Sequence, residues 1–470
     1  MKNIDTDICV IGGGSGGLSV AAGAAQMGAR VVLLEGHKMG GDCLNFGCVP
    51  SKALLAAGKR AHAMRGGLGV GSAQPCVDFG AAKDHVAAVI ADIAPHDSVE
   101  RFESLGVRVI TEYGRFISPR EVQAGDHVIR ARRFVVATGS APAVPPIPGL
   151  GSVPHLTNET IFELRERPEH LLILGGGPIG LEMAQAHRRL GSAVTVIEGA
   201  TALARDDPEA AALVLEKLRD EGIEIVEGAM AQEVATCEGG IMLRSQDGRS
   251  YHGSHLLLAT GRRAALDRLD LDAAGVAHAE GAITVDSRLR SSNRRVHAIG
   301  DAIAQEQFTH VANYHAGIVI RSMLFGLPAR ARRDHLPWVT YTDPELAQVG
   351  LTEADALARH GAALEVVRFD YRENDRARAE ARTEGFIKVM IHKGRPVGAT
   401  IVGAQAGELI GVWALAIAQR MKMGQIAGMV IPYPSLGEIN KRAAGAYFIP
   451  RLFENPRVKR IVRLVQKVLP

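Results

Sequence analysis

Cysteine, aromatic side chains and long apolar segments are all scarce in this chain of 470 residues. Its five cysteines are too few, and odd in number, for a small secreted scaffold held together by disulfides. No apolar run approaches the length of about eighteen residues that a membrane-spanning helix needs, so no such helix is expected. The first residues lack the charged and apolar regions of a signal peptide. We therefore expect a cytoplasmic protein.

A strong excess of one charge is also lacking, because the formal net charge at pH 7 is only +3. This charge does not indicate a strongly basic surface, and an aromatic content of 4% offers few side chains on which bases could stack. No nucleic-acid partner is therefore expected. Glycine, in contrast, is abundant, with 53 residues. Apolar residues make up 47% of the chain, which suits a globular protein of about three domains.

The abundant glycines include two copies of one pattern, in which a strand is followed by a glycine loop, a helix and a second strand. Each copy has the spacing G-x-G-x-x-G, and an acidic residue lies 23 positions after the first glycine, at the end of the second strand. The glycines and acidic residues are Gly12, Gly14, Gly17 and Glu35 in the first copy and Gly175, Gly177, Gly180 and Glu198 in the second.

This spacing has a physical explanation in dinucleotide binding. The first glycine allows a tight turn, the second lets the backbone approach a pyrophosphate, and the third lets the helix pack on the strand. The N-terminus of the helix attracts the phosphates, and the acidic side chain accepts hydrogen bonds from ribose hydroxyls. Two such copies predict an α/β fold with two Rossmann-like dinucleotide-binding domains.

The second acidic residue also predicts which nicotinamide nucleotide binds. The carboxylate of Glu198 would repel the 2′-phosphate of NADPH, and the residues directly after it, 199–202, include no arginine to bind that phosphate. Arg205 is further along the chain. We therefore expect NADH rather than NADPH.

Two cysteines, Cys43 and Cys48, follow the first glycine loop with four residues between them. Two thiols at this spacing can alternate between a dithiol and a disulfide, although the spacing alone is equally compatible with a structural role. Because the pair follows the first repeat, it would contact the nucleotide of that repeat, which we expect to be FAD; the second repeat is then expected to bind NAD. Cys76 is assigned no role, and Cys237 is expected to be an inert, packed thiol.

Several short segments match a known pattern. They are Gly41-Asp42-Cys43, Cys48-Val49-Pro50-Ser51-Lys52, Ala137-Thr138-Gly139-Ser140, Ala259-Thr260-Gly261-Arg262, Ala298-Ile299-Gly300-Asp301 and Thr342-Asp343-Pro344-Glu345. With these segments, and over nearly all of residues 5–450, the chain resembles the class I pyridine nucleotide–disulfide oxidoreductases. That family includes dihydrolipoamide dehydrogenases, glutathione reductases and mercuric reductases.

The resemblance implies a role for each matching residue. Cys48 would be the thiol against the flavin and Cys43 the thiol that meets the substrate, while Lys52 would lie near the flavin and pair with Glu182. The other cofactor residues that it implies are Thr138, Gly139, Gly300 and Asp301 for FAD and Gly261 for NAD. Electrons would pass from NADH through FAD to the two cysteines and then to an acceptor, or in the reverse direction.

The resemblance and the proline-rich segment 141–149 predict the domain boundaries. The FAD-binding domain is expected to be split between residues 1–150 and 265–335, with the NAD-binding domain at 151–264 between them. A C-terminal α+β dimerisation domain is expected at 336–450, and it would form a C2 homodimer.

One position departs from the family's disulfide reductases, in which a histidine acts as acid–base toward the substrate-facing thiol. Tyr433 stands at that position, although Glu438 keeps the place of the glutamate five residues later. Tyrosine, with a pKa of about 10, is a poor base at neutral pH. Mercuric reductases also carry tyrosine here, and a thiolate pair suits a soft metal ion. The sequence nevertheless shows neither an N-terminal C-x-x-C metal-binding domain nor vicinal cysteines near residue 470.

These residues predict an FAD-dependent NADH:disulfide oxidoreductase of the dihydrolipoamide dehydrogenase type. Reduction of Hg(II) or another soft metal ion is the first alternative, and a membrane-associated flavoprotein electron carrier is the second. The expected acceptor is accordingly a small disulfide, a lipoyl group or a soft metal ion. No resident metal is expected, since His310 and His315 are most simply structural histidines.

The last twenty residues differ in character from the rest of the chain. Residues 451–470 contain six basic residues and one acidic residue, and their apolar residues recur at helical spacing. A basic amphipathic helix is therefore predicted there. It would lie on an anionic membrane surface or, alternatively, dock on the protein's own dimer.

Overall fold

A computed structural model describes residues 1–73 and 76–469 of the chain. Within this range the chain forms two compact units. The first contains Met1–Arg65, Ser72–Gly199 and Val226–Arg332, and the second contains Gly66–Gly71, Ala200–Ile225 and residues 333–469. Each unit has a hydrophobic core of its own.

The strands of the described residues are mostly short and apolar. In chain order they are β1 (Lys2–Ile11), β2 (Val31–Leu34), β3 (Val107–Ile110), β4 (Arg115–Ser118), β5 (Glu121–Ala124), β6 (His127–Val136), β7 (Ser140–Pro142), β8 (His170–Leu174), β9 (Ala193–Ile197), β10 (Glu224–Val226), β11 (Ala231–Cys237), β12 (Gly240–Ser245), β13 (Ser250–Gly253), β14 (His255–Leu258), β15 (Arg262–Ala264), β16 (His278–Ala279), β17 (Ala282–Ile283), β18 (Val296–Ala298), β19 (Pro337–Thr340), β20 (Glu345–Gly350), β21 (Leu364–Asp370), β22 (Phe386–His392) and β23 (Arg395–Gly403).

The α-helices of the described residues vary from about one to about five turns. In chain order they are α1 (Ser15–Gln26), α2 (Gly41–Asn45), α3 (Cys48–Ala63), α4 (Phe79–Ile93), α5 (Val99–Ser104), α6 (Pro178–Arg189), α7 (Pro208–Asp220), α8 (Thr309–Phe325), α9 (Glu353–His360), α10 (Asp375–Ala379), α11 (Ala406–Leu409), α12 (Gly411–Ala418), α13 (Met423–Ala427), α14 (Glu438–Ala446) and α15 (Pro456–Val468).

The first repeat builds the largest sheet of the first unit. Strands β3, β2, β1, β6 and β18 are parallel neighbours in that order, and the first half of β6 also pairs antiparallel with β5, which pairs with β4. All four residues of β2 are buried, as expected for an inner strand of a parallel sheet. The first glycine loop follows the carboxyl end of β1, the edge at which such sheets bind nucleotides.

The second repeat forms a similar arrangement in the same unit. Strands β14, β8 and β9 are parallel neighbours, and α6 connects β8 to β9. An antiparallel sheet of β11, β12 and β13 follows in the chain. Helix α3, which follows the first repeat, packs against α6 of the second. The two predicted copies therefore share one βαβ architecture.

The second unit is built on an antiparallel sheet with the order β19–β20–β23–β22–β21. Helices α12 and α14 pack against it through apolar side chains. The fully buried indole of Trp413 on α12 donates a hydrogen bond to Asn440 Oδ1 on α14 at 2.7 Å, so that neither polar group stays unpaired in the core.

The predicted fold class is confirmed, with two Rossmann-like repeats and a C-terminal α+β part. The limits of the three domains stay a prediction. The C-terminal helix begins later than residue 451, because a π-helical turn at Ile449–Phe453 precedes it and the Asn455 side chain caps its start, directly before Pro456. Among the helices of the described residues, none combines the length and apolarity that crossing a membrane requires.

A buried ion pair in the second unit allows a test of its stability. Lys388 Nζ on β22 lies 2.9 Å from Asp207 Oδ2, and both side chains are almost fully buried. The Lys388 ammonium also lies 2.9 Å from Glu209 and 2.8 Å from Glu353. We expect Lys388→Met to lower the free energy of unfolding by about 3–5 kcal/mol, because it leaves the Asp207 carboxylate buried without its counter-charge.

Urea unfolding followed by circular dichroism measures this change. The control is Lys217→Met, because the ion pair of Lys217 with Glu384 is partly exposed and its loss should cost less than about 1 kcal/mol. Equal losses for the two variants would contradict the expectation.

Candidate active site

The first glycine loop connects β1 to α1 and has no room for side chains. Gly12 has a φ of +110°, and a Cβ at Gly12 or Gly17 would collide with the backbone carbonyl oxygens of Ala137 and Gly12 respectively. Helix α1 starts at Ser15 without a side-chain cap from Gly14, so no side chain occupies its first N–H groups. This arrangement fits a pyrophosphate that approaches the backbone closely.

The second glycine loop repeats this geometry between β8 and α6. Gly175 has a φ of +114°, and a Cβ at Gly175 or Gly180 would collide with the carbonyl oxygens of Ala259 and Gly175 respectively. Helix α6 starts at Pro178 after Gly177, again without a side-chain cap. The first unit therefore has two glycine loops whose geometry suits the phosphates of a dinucleotide.

The two acidic residues of the repeats occupy matching positions. Glu35 Oε2 accepts a hydrogen bond from the N–H of Gly13 at 2.6 Å, and Glu198 Oε2 accepts one from the N–H of Gly176 at 2.7 Å. Each carboxylate is thereby fixed beside its glycine loop, where a ribose would lie. Gly261, the other residue expected to contact NAD, has a φ of +119° in the same unit.

The residues expected to hold FAD fit a polar ligand. Thr138 Oγ1 is buried and has no hydrogen-bond partner among the described residues. Gly139 and Gly300 have φ values of +69° and +59°. The carboxylate of Asp301 accepts a hydrogen bond from the Ser140 hydroxyl at 2.5 Å, and burial raises the pKa of Asp301. The Thr138 hydroxyl is thus available to a bound polar group, as expected of a residue predicted to contact FAD.

The cysteine pair lies at the junction of two helices. Cys43 is in α2 and Cys48 is the first residue of α3, and both are free thiols in this structure. A hydrogen bond between the two sulfurs raises the pKa of Cys43 and lowers the pKa of Cys48 to about 6, and burial opposes the second effect. These opposite directions favour a thiolate at Cys48 and a protonated thiol at Cys43.

Thr309 is a third member of this site, and its role was not predicted from the sequence. Its Oγ1 lies 3.3 Å from Cys48 Sγ, and Thr309 is the first residue of α8. A hydroxyl at this distance donates to the thiolate and lowers the pKa of Cys48. The positive end of the helix dipole acts in the same direction.

Lys52 and Glu182 lie together, as the resemblance implies. Lys52 is one turn after Cys48 on the same face of α3, and its charge also lowers the pKa of Cys48. Its Nζ donates a hydrogen bond to Glu182 Oε2 at 2.7 Å. The Glu182 side chain on α6 is only 6% exposed, so this ion pair joins α3 to α6 in the interior of the first unit.

A network of polar side chains links α2 to the residues expected to contact FAD. Arg262 Nη2 lies 3.0 Å from Asp42 Oδ1, and Arg262 Nε donates to the hydroxyl of Ser140 at 2.7 Å, which in turn donates to Asp301. Asn158 also donates to Asp42, at 2.9 Å. No role was predicted for Asp42, Ser140 or Arg262, although all three lie in the matching segments.

Tyr433 and Glu438 lie in the second unit. The Tyr433 side chain is 67% exposed, and its hydroxyl donates a hydrogen bond to Asp375 Oδ2 at 3.0 Å, which raises the pKa of Tyr433 above its usual value. Glu438 begins α14 and accepts a hydrogen bond from Arg442 at 3.4 Å. At neutral pH Tyr433 is therefore a hydrogen-bond donor and not a base.

His310 and His315 both make contacts within the protein. The buried His315 accepts a hydrogen bond from the N–H of Gly300 at 3.2 Å, and burial lowers its pKa to about 4, while His310 stacks on Phe308. In the part of the chain that the structure describes, no group of three or more His, Cys, Asp or Glu side chains could hold a metal ion. The prediction for Cys237 is wrong, because this thiol is exposed at the end of β11.

Comparison with known families and proteins adds to this geometry. The model for the pyridine nucleotide-disulphide oxidoreductases matches residues 6–316, and the model for the dimerisation domain of the same family matches residues 336–444.

Among curated proteins, the mercuric reductase of Acidithiobacillus ferrooxidans is 35% identical over 458 residues, covering 94% of this chain and 82% of the relative. The mercuric reductase of Streptomyces lividans is 34% identical, covering 94% of this chain and 96% of the relative. Among solved structures, the Cu(II) complex of the HOCl-induced flavoprotein disulfide reductase RclA from Escherichia coli is similar with a TM-score of 0.85 at 27% identity. LpdA from Mycobacterium tuberculosis is similar with a TM-score of 0.87 at 26% identity. Both structural matches cover 94% of this chain and 99% of the other.

The contact between Thr309 and Cys48 leads to a test of the thiolate. We expect Thr309→Val to raise the pKa of Cys48 by about one, because it removes one hydrogen bond to a charged group. The measurement is the rate of iodoacetamide alkylation of Cys48 against pH, in a Cys43→Ser background that leaves one thiol at the site. The midpoint of this profile should move to higher pH in Thr309→Val.

Thr309→Ser is the matched control, because it keeps the hydroxyl and should leave the midpoint in place. An unchanged midpoint in Thr309→Val would contradict a role for this hydroxyl.

Proposed function

This chain belongs to the pyridine nucleotide–disulphide oxidoreductase family, and from that premise we propose an NADH-dependent reductase whose acceptor is a soft metal ion such as Hg(II). The family confirms the predicted class, an FAD-dependent disulfide oxidoreductase that uses a pyridine nucleotide. One observation carries the choice of acceptor: a thiolate–thiol pair at Cys48 and Cys43 occurs in a chain that has Tyr433, a proton-holding hydroxyl, at the position of the usual histidine.

The two glycine loops would hold the two nucleotides. The loop before α1 would bind the pyrophosphate of FAD, with Glu35 on its ribose and Asp301 on its polar chain. FAD, when bound, would accept a hydride from the pyridine nucleotide and pass an electron pair toward the acceptor. Lys52, held by Glu182, would supply the positive charge that keeps Cys48 ionised.

The two sulfurs suit a soft cation. Thiolates prefer ions such as Hg(II), and two of them complete a two-coordinate site. Cys48 is already ionised at neutral pH, and Cys43 would release its proton when the metal binds. The overall reaction is balanced as NADH + Hg(II) → NAD⁺ + H⁺ + Hg(0), in which two electrons reduce the metal and none remain on the protein.

Tyr433 favours a soft metal ion over a disulfide as the acceptor. Reduction of a disulfide leaves two thiols that must take up protons, and a histidine with a pKa near 6.5 can deliver them repeatedly. The hydrogen bond from Tyr433 to Asp375 keeps the phenol protonated, so it is suited to holding an acceptor and not to cycling a proton. The mercuric reductases among the relatives, and the relative solved as a Cu(II) complex, support the same proposal.

Reduction of a small disulfide or a lipoyl group is the second candidate. The separation of the two thiol pKa values favours it, since thiol–disulfide exchange uses one ionised and one protonated sulfur.

The match to the dimerisation domain indicates a homodimer. We propose C2 symmetry for it, with Tyr433 of each subunit completing the thiol site of the other. A cytoplasmic location is part of this proposal, because the cytoplasm keeps thiols reduced.

The choice of acceptor is tested by NADH oxidation with Hg(II) supplied as a thiol complex, and separately with lipoamide. We expect turnover with Hg(II) to exceed turnover with lipoamide. Cys43→Ala should lower the Hg(II) rate by at least about a hundredfold, because a single thiolate cannot complete the two-coordinate site.

Cys237→Ala is the control for this experiment, because it removes an exposed thiol outside the pair and should leave the rate unchanged. Fast lipoamide turnover that is lost in Cys43→Ala would instead establish the disulfide reductase and reject the metal proposal.

The preference for NADH is tested through Glu198. We expect kcat/KM for NADH to exceed that for NADPH by at least about tenfold, since the carboxylate beside the second glycine loop repels a 2′-phosphate. Glu198→Gln keeps the shape of the side chain and removes its charge, so the ratio should fall toward one. Steady-state kinetics with both nucleotides measure it.

The exposed carboxylate of Glu238 lies in the same unit, and Glu238→Gln should leave the ratio unchanged. Comparable efficiency of the unaltered enzyme with both nucleotides would contradict the preference.

A further inference from the structure

We propose that helix α15 binds the surface of an anionic lipid membrane and holds the enzyme there as a peripheral membrane protein. Binding of this helix to a membrane would be independent of the acceptor that the enzyme reduces. The helix is accessible, because none of its residues is buried in the described structure.

The helix divides into an apolar and a basic face. At 3.6 residues per turn the apolar side chains share one side that spans roughly 160° of the circumference. They are Val458, Ile461, Val462, Leu464, Val465 and Val468. The opposite side carries Lys459, Arg460, Arg463 and Lys467, while Arg457 in the first turn lies near the edge of the apolar side. Residues 455–469 include no acidic residue.

The apolar face is a continuous exposed surface and not a set of scattered side chains. Ile461, Leu464 and Val468 are 60%, 64% and 76% exposed. The preceding π-helical turn adds Leu452 and Phe453, which are also exposed. Soluble proteins seldom leave such a strip uncovered unless another surface binds it.

The length of α15 specifies how it would meet a bilayer. Thirteen residues make a helix about 20 Å long, which is shorter than the hydrocarbon core of about 30 Å. A helix with one apolar and one basic face lies in the plane of the interface, with the apolar side chains among the acyl chains and the basic ones at the headgroups. Phe453 would enter the same interfacial layer.

Charge selects an anionic lipid surface over a second copy of the chain. A second copy of α15 could cover the apolar face, but the basic faces of both helices would then point outward, with no acidic residue of either helix to neutralise them. The helix also lies beyond residue 444, where the match to the family's dimerisation domain ends, so it is additional to that shared element. An anionic bilayer suits both faces at once, because its acyl chains surround the apolar side chains and its headgroups pair with the basic ones.

The test is sedimentation of the full-length, FAD-loaded enzyme with vesicles of phosphatidylcholine containing phosphatidylglycerol, and with vesicles of phosphatidylcholine alone. We expect binding to the anionic vesicles that weakens as salt rises. A triple variant, Arg460→Gln, Arg463→Gln and Lys467→Gln, should lose affinity by roughly a hundredfold. A second variant, Ile461→Gln and Val465→Gln, should lose binding while keeping all basic residues.

The charge-matched control replaces Arg359, Lys393 and Arg395 with Gln, because these basic residues are exposed elsewhere in the second unit. This control should bind as the unaltered enzyme does, and NADH oxidation in solution should be the same in all variants. An equal loss of binding in the control, or no binding of the unaltered enzyme to anionic vesicles, would overturn the proposal.

Sedimentation velocity distinguishes membrane binding from the alternative that the partner subunit covers the apolar face of α15. If the Ile461→Gln, Val465→Gln variant dissociates into monomers at concentrations where the unaltered enzyme is a dimer, the apolar face belongs to the dimer and the membrane proposal is rejected. An unchanged dimer together with lost vesicle binding supports the membrane surface.

Discussion

The ion pair between Lys52 and Glu182 is the contact on which the arrangement of the site depends. It joins α3, which starts with Cys48, to α6, which begins at the second glycine loop. Because the Glu182 carboxylate is buried, it needs the ammonium group beside it, and the two helices are held together at that point. Gly58 on α3 reinforces the contact, since its Cβ position lies only 3.3 Å from the Ala186 carbonyl oxygen of α6. The thiol site is thereby fixed relative to both nucleotide sites.

The electrostatics of the thiols come from groups that are distant in sequence. The protonated sulfur of Cys43, the hydroxyl of Thr309 and the ammonium of Lys52 all lower the pKa of Cys48, while burial opposes them. Tyr433 in the second unit holds its proton through Asp375. An ionised sulfur without a basic partner at the usual position is better suited to binding a thiophilic ion than to repeated proton transfer, which is the physical basis of the proposed acceptor.

Much of the site could be predicted because its signals are local. The spacing of the glycine loops and of Glu35 and Glu198 reflects a single βαβ unit, and the hydrogen bonds of both carboxylates follow that spacing. Thr309 could not be found in this way, because it lies 261 positions from the sulfur that it contacts. The error at Cys237 has a similar origin, since a strand pattern does not state which face a strand buries, and only Val234 is buried in β11.

The sequence by itself determined the family, the two nucleotide-binding repeats, the cysteine pair and the amphipathic character of the last residues, because each depends on residue types at short separations. The tertiary structure decided which sulfur is ionised, which groups surround it and which faces stay exposed. Those properties depend on burial and on distances between residues from separate elements, such as Asp42 and Arg262 or Tyr433 and Asp375. Such distances are set only when the strands and helices pack. Each pKa depends on them, because burial and nearby charges determine it.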